Sequence, residues 1–170
     1  VLESRGLAIN LVPLVGHGTL RISAMGFAAR KPTADELEQM KKLLRVEFDA
    51  GAFGLSTGLT YSPSMYAQRE ELLGLLAVIR DCDAIYSSHA RDTMSNDPKI
   101  ALFESLEEML DLARSTGVRC QYSHAAINSP SDWGRSPEWI ERIESARDSE
   151  IDIAFDVYPY HASSSALTQY

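Results

Sequence analysis

Much can be excluded from what this chain lacks. Only two cysteines, Cys82 and Cys120, occur among 170 residues. They are too few for a disulfide framework and do not form a Cys-x-x-Cys pair, so a stapled secreted module and a zinc ribbon are both excluded, and a reducing, cytoplasmic setting is expected. No apolar run approaches the length of a membrane span, so no membrane association is expected. Positive charge is not in surplus either. A formal net charge of -8 argues against a general nucleic-acid binder, which needs a basic stripe to neutralise phosphates. There is no G-x-G-x-x-G turn and no P-loop to announce a nucleotide. The chain opens at Val1 with neither a basic n-region nor an apolar h-region. Leu2 to Arg5 before Gly6 instead resembles a helix end with its C-cap glycine, so the sequence reads as an internal piece of a longer protein.

What is present suits a globular domain with its own core, at 45% hydrophobic and 24% charged residues. Leu7 to Val15 is a mostly apolar run expected to form a strand buried on both faces, with Gly16-His-Gly-Thr-Leu-Arg21 as the glycine-flanked loop after it. Thr33-Ala-Asp-Glu36 is a capping-box pattern, and Leu37, Met40, Leu43, Leu44 and Phe48 then make one apolar helical stripe. A strand over 52–57 and a loop through Pro63 lead to a helix over 67–81 with Leu72, Leu73, Leu76 and Ile79 inward. A strand over 84–89 follows. Asn96-Asp97-Pro98 should start a third helix with Leu102, Phe103, Leu106, Met109, Leu110 and Ala113 facing the core. After a strand over 118–123, Ser136-Pro137 should start a fourth, with Trp139, Ile140, Ile143 and Ala146 on one side. The last strand spans 151–157.

Strand ends near Val15, Thr57, His89, Ser123 and Asp156 recur at spacings of 32 to 42 residues, as repeated βα units do. A doubly wound sheet would usually carry a glycine-rich phosphate turn after its first strand, and this chain has none. A (β/α)8 TIM-type barrel keeps its chemistry on the loops after the strands, where histidine, tyrosine and serine gather here. The expected fold is therefore α/β, one partial barrel domain over 1–170 with about five βα units and two open edges, because a closed barrel takes about 250 residues.

Ser88-His89 ends one strand run and Ser123-His124 ends the next. On neighbouring parallel strands the two rings would emerge at one edge, about 4.8 Å apart. Neutral imidazoles placed so suit zinc, which bonds histidine nitrogen at about 2.0–2.1 Å, although a catalytic zinc normally takes three protein ligands. Cys120 lies four residues before His124, about 13 Å along a strand, too far to share one ion. Cys82 precedes its strand, and both cysteines are expected to be structural. Asp156 could orient a histidine, bind metal or accept hydrogen bonds from loop backbone. Tyr158, on the same face, could polarise a carbonyl or simply pack. His17 and His161 read as solvated loop histidines. Arg91 could meet an anionic substrate or pair with Asp92.

Taken in order, Gly16-His-Gly-Thr-Leu-Arg21, Gly54-Leu-Ser-Thr-Gly-Leu59 with Tyr61 and Pro63, Ser88-His-Ala-Arg-Asp92, Ser123-His124, and Asp156-Val-Tyr-Pro-Tyr160 with Ala162, Ser164 and Leu167 resemble the N-acyl-D-amino-acid deacylases (D-aminoacylases) of the amidohydrolase superfamily. The resemblance covers nearly the whole chain. It implies that the five strands are the third to seventh of the barrel, and that His89 and His124 are ligands of a tightly held zinc. It further implies that Tyr158 assists at the scissile carbonyl, that Tyr61 lines the substrate pocket and that Ser164 lies near the substrate carboxylate. A His-x-His pair, a cysteine ligand and an aspartate general base would then lie outside this chain. The chain departs from the family pattern at Ala126, where a lysine is usual two residues beyond the histidine, and at Thr93, where an acid is common.

The function so implied is zinc-dependent hydrolysis of a linear amide bond, the deacylation of small N-acyl-D-amino acids by metal-activated water, with the isolated piece inactive. Two other readings stay open at this point: a metal-free barrel lyase or isomerase using His89 and His124 as acid–base groups, and a non-catalytic binding piece.

Overall fold

The computed structural model describes residues 4, 6–91, 102–127, 130–160 and 162. Five strands, β1 (Leu14–Gly16), β2 (Gly54–Gly58), β3 (Ile85–His89), β4 (Arg119–Tyr122) and β5 (Ile153–Phe155), form one sheet in the order β1-β2-β3-β4-β5. Every neighbouring pair is parallel. The helices are α1 (His17–Met25), α2 (Ala34–Asp49), α3 (Arg69–Asp81), α4 (Leu102–Thr116) and α5 (Ser136–Asp148), with short 3₁₀ turns at Ser64–Tyr66 and Pro130–Asp132. Sequential parallel strands joined by helical crossovers are five consecutive units of a (β/α)8 barrel.

Local chemistry explains most of the boundaries. At the start of α2 the Thr33 hydroxyl accepts the Glu36 N–H at 3.2 Å, and the Glu36 carboxylate accepts the Thr33 N–H at 2.7 Å, so the capping box is complete. Met40 and Leu44 on its stripe are fully buried, and Leu37, Leu43 and Phe48 pack partly against the core. On α3, Leu72, Leu75, Leu76, Val78 and Ile79 are buried; on α4, Phe103, Leu106, Met109, Leu110 and Ala113 are. Gly117 ends the α4 unit at φ = 71°, a left-handed stop that glycine adopts without strain. The expected start of α4 at Asn96 to Pro98 and the expected helix end at Leu2 to Arg5 lie outside the described residues, apart from Ser4.

Four expectations fail. The run from Leu7 to Val15 is not a strand buried on both faces: only Leu14–Gly16 pairs, and Leu7, Ile9, Leu11 and Val12 are exposed. Among the described residues β1 is an edge strand that pairs with β2 alone. The segment Gly16 to Arg21 is not a loop, since α1 begins at His17, and His17 is not solvated but fully buried. Ile140, expected on the inner side of α5, is exposed, whereas Trp139, Ile143 and Ala146 are buried.

Candidate metal centre

β3 and β4 run side by side with Ser88 opposite Tyr122, which brings the residues just beyond them to the same edge. Along β3, Tyr86 and Ser88 turn into the helix layer and are buried, while Ser87 and His89 occupy the more open face. Ser88 is anchored there by a 2.7 Å hydrogen bond with Thr57, which also bonds Tyr86 at 2.9 Å. On the open face the Ser87 and Ser123 hydroxyls bond at 3.0 Å. The alternation of a strand thus delivers His89 to the side away from the helices.

His89 and His124 meet at that edge. His89 Nδ1 and His124 Nε2 are 2.8 Å apart, and the ring centroids are 4.5 Å apart at an interplanar angle of 66°. Burial, together with the neighbouring His124, pushes His89 down to about 4, so its ring is neutral at physiological pH, the form that binds metal. Zinc bonds of ordinary length at a tetrahedral angle would separate the two nitrogens by about 3.3 Å. The pair would therefore open by about 0.5 Å to take an ion, and it fits as two ligands of a site. Among the described residues no group of three or more His, Cys, Asp or Glu side chains could hold a metal.

The backbone at His124 is unusual, with φ = 40°. Such a conformation in a residue with a Cβ persists only where its surroundings hold it. Asp156, just past β5, supplies the hold: Oδ1 accepts the His124 N–H at 2.7 Å, Oδ2 accepts Gln121 Nε2 at 2.7 Å, and the Asp156 carbonyl accepts the Ala125 N–H at 2.7 Å. Of the roles open to Asp156, the structure shows hydrogen bonding to loop backbone in a way that orients His124.

Tyr61 is the third member of the cluster. Its hydroxyl lies 3.4 Å from His89 Nδ1 and its ring centroid 4.7 Å from that of His89. Arg91 follows β3 but turns away from the pair. Its Nε and Nη2 bond Glu108, Nη1 donates to the Met65 carbonyl at 2.9 Å and Nη2 to the Ala67 carbonyl at 3.1 Å. Tyr158 is more than a third exposed, and among the described residues no hydrogen bond or ring contact joins it to the histidine pair. Ser164, Asp92, Thr93 and His161 lie outside the described residues. Ala126 lines an apolar cavity of about 290 Å³ with Ile127, Trp133, Trp139, Phe155 and Val157.

Cys120 is buried in β4, its thiol pushed up to about 12 by burial and by Asp152 nearby, and Cys82 is exposed at the end of α3. Neither approaches the pair closely enough to form a metal group with it.

Sequence reasoning did not anticipate a second polar cluster. Glu71, Arg21 and His17 are all buried: Arg21 Nη1 reaches Glu71 Oε2 at 2.6 Å and His17 Nε2 reaches Glu71 Oε1 at 2.8 Å. Burial alone would raise the Glu71 carboxyl, but the hydrogen bonds from His17 and Arg21 outweigh it and hold the group below the usual carboxylate range. A signal for it existed. Glu71 stands four residues before Leu75 and seven before Val78, on the buried stripe of α3.

No family model matches the chain. Among curated proteins it is 37% identical over 166 residues to the N-acyl-D-glutamate deacylase of Alcaligenes xylosoxydans xylosoxydans, taking in 98% of this chain and 33% of that protein. It is 32% identical over 168 residues to the D-aminoacylase of the same organism, taking in 99% of this chain and 34% of that protein. The crystal structure of N-acyl-D-glutamate deacylase from Bordetella bronchiseptica, complexed with zinc and a phosphonate that mimics the tetrahedral intermediate, matches with a TM-score of 0.84 and 36% identity over 93% of this chain and 32% of that one. The chain spans about a third of the length of the curated relatives it matches. Over nearly its whole length, the chain is thus similar in sequence and in fold to about a third of the N-acyl-D-amino-acid deacylases and D-aminoacylases.

Proposed function

We propose that the protein carrying this chain hydrolyses the amide bond of small N-acyl-D-amino acids, and that His89 and His124 are two of the ligands of a zinc ion that it uses. The observation that carries this reading is the convergence of His89 Nδ1 and His124 Nε2, 2.8 Å apart, at the C-terminal edge of adjacent barrel strands. When bound, zinc supplies Lewis acidity toward a carbonyl and acidifies a water molecule.

The chain's own residues then have distinct tasks. His89 presents a neutral ring, and Asp156 fixes the backbone from which His124 presents its imidazole. Tyr61 lines the substrate side of His89. Tyr158 donates a hydrogen bond to the scissile carbonyl, and Ser164 to the substrate carboxylate. Arg91 contributes by holding the loop of Tyr61 in place. The remaining ligands and the general base come from outside this segment. Two free thiols favour a reducing, cytoplasmic setting, and the acidic balance favours small molecules over nucleic acid as partners.

The same 2.8 Å hydrogen bond is what a metal-free acid–base pair would form, so metal content separates the two readings. Purified intact protein should hold zinc and should hydrolyse N-acetyl-D-amino acids in preference to their L counterparts. A protein active without metal would support the acid–base reading, and one that binds zinc but spares every N-acyl-D-amino acid would overturn the substrate assignment.

A further inference from the structure

Glu71, His17 and Ser64 are linked in a line. Glu71 Oε1 accepts from His17 Nε2 at 2.8 Å, and His17 Nδ1 lies 2.9 Å from Ser64 Oγ. In the tautomer whose Nε2 donates to the carboxylate, Nδ1 is the acceptor for the Ser64 hydroxyl. All three residues are at most 4% exposed. Arg21, also buried, supplies the counter-charge through Glu71 and ties its own Nη2 to the Ala28 and Arg30 carbonyls. We propose that Glu71, His17 and Ser64 form a buried relay whose task is to position Tyr61 over the histidine pair, making them positioning residues for the site; this rests on the reading of Tyr61 and His89 as part of the substrate site.

Connectivity of this kind also occurs in nucleophilic triads, but Ser64 cannot serve as a nucleophile here. It is buried, and Gly18 is packed so closely that a Cβ there would stand 3.3 Å from Ser64 Oγ, leaving no approach for a substrate. Nor is the relay explained by stability alone. A buried ion pair gains little over apolar packing of the same shape, because desolvation offsets the attraction. What apolar packing cannot supply is a directional bond from the helix layer to one hydroxyl of one loop.

That loop is the one that carries Tyr61. The Tyr61 N–H donates to the Gly58 carbonyl at 3.0 Å, the Met65 N–H donates to the Tyr61 carbonyl at 2.8 Å, and the Ala67 N–H donates to the Ser64 carbonyl at 3.0 Å. Ser64 and Tyr61 are therefore parts of one bonded turn. The Tyr61 ring lies against Gly58, where a Cβ would come within 2.5 Å of Cδ2, and Gly58 stands opposite His89 in the sheet. The relay grips the turn from the α1 and α3 side, at Ser64, while Arg91 grips it from the β3 side, at Met65 and Ala67. The turn is held at both places, and the Tyr61 hydroxyl lies 3.4 Å from His89 Nδ1.

Ser64→Ala in the intact protein cuts the relay at its last bond and leaves the Glu71–His17–Arg21 cluster in place. Three readouts are compared: hydrogen exchange along the chain, zinc content, and kcat/KM toward an N-acetyl-D-amino acid in the wild-type and Tyr61→Phe backgrounds. The relay predicts faster exchange confined to residues 58–67, unchanged zinc and unchanged exchange in α2 and α4. It also predicts a kcat/KM about tenfold lower, as misplacement of a substrate-positioning group produces, and no further loss when Ser64→Ala is added to Tyr61→Phe. Unchanged exchange over 58–67, exchange that rises evenly along the whole chain, or losses that multiply in the double variant would each overturn it. If Tyr61→Phe alone leaves kcat/KM intact, the assignment of Tyr61 to the substrate site fails instead, and the exchange pattern still decides the relay.

Discussion

Asp156 holds His124 by its backbone: the carboxylate accepts the His124 N–H at 2.7 Å while His124 stands at φ = 40°. The bond crosses from the end of β5 to the end of β4, so the orientation of one imidazole depends on a neighbouring strand. Asp156→Ala should release this conformation and weaken metal binding in the intact protein by about tenfold or more, the usual effect of removing a group that orients a ligand. Competition with a chelator measures it. Zinc affinity equal to that of the wild type would mean that His124 keeps its orientation without Asp156.

The buried cluster of Glu71, Arg21 and His17 predicts a stability defect with a defined pH dependence. Glu71→Ala leaves Arg21 buried without its carboxylate, a loss of about 3–5 kcal/mol. In the folded state the Glu71 carboxyl lies below its unfolded value, so its contribution is fully present above about pH 4.3 and is lost as pH falls through the folded value. Urea midpoints of wild type and Glu71→Gln, taken from neutral to acid pH, should converge at the acid end. A constant gap would refute the linkage.

The two thiols should differ sharply in reactivity. Cys82 is exposed, whereas burial pushes Cys120 up to about 12 and removes it from reagents. Native protein treated with iodoacetamide should take up label at Cys82 alone, and both sites should react after unfolding. Labelling of Cys120 in native protein would show that β4 opens locally.

At α2, loss of the reciprocal cap through Thr33→Ala should cost about 1 kcal/mol, read as a lower melting midpoint without a change in zinc content. The cap lies among exposed residues far along the chain from the histidine pair, so any effect on metal would count against a purely local role.

How far the molecule could be read from sequence depended on whether a residue's neighbours were local. His89 ends β3 and His124 lies just past the end of β4 at a like position in the next unit, so the juxtaposition of the two followed from parallel pairing. The stripe of α2 and its capping box are also local patterns, and both hold. The partners of His17 were not local: Ser64 and Glu71 lie 47 and 54 residues away, and glycines on either side disguised a buried helix start as a loop. The apolar run from Leu7 to Val12 carried the composition of a buried strand, but burial depends on a neighbour, and among the described residues the edge position of β1 provides none on that side. Asp156 was recognised as a candidate, yet its backbone bond to His124 depends on a left-handed residue that side-chain identity does not announce. Arg91 offered a cation beside the site, but its carbonyl partners at Met65 and Ala67 came together only through folding.

His89 and His124 are proposed to bind one ion. X-ray absorption at the zinc edge of the intact protein tests it most directly. The account predicts imidazole scattering from both rings in the wild type, and a first shell poorer by one imidazole in each of His89→Ala and His124→Ala. A zinc shell that is the same in the wild type and in both variants would contradict it.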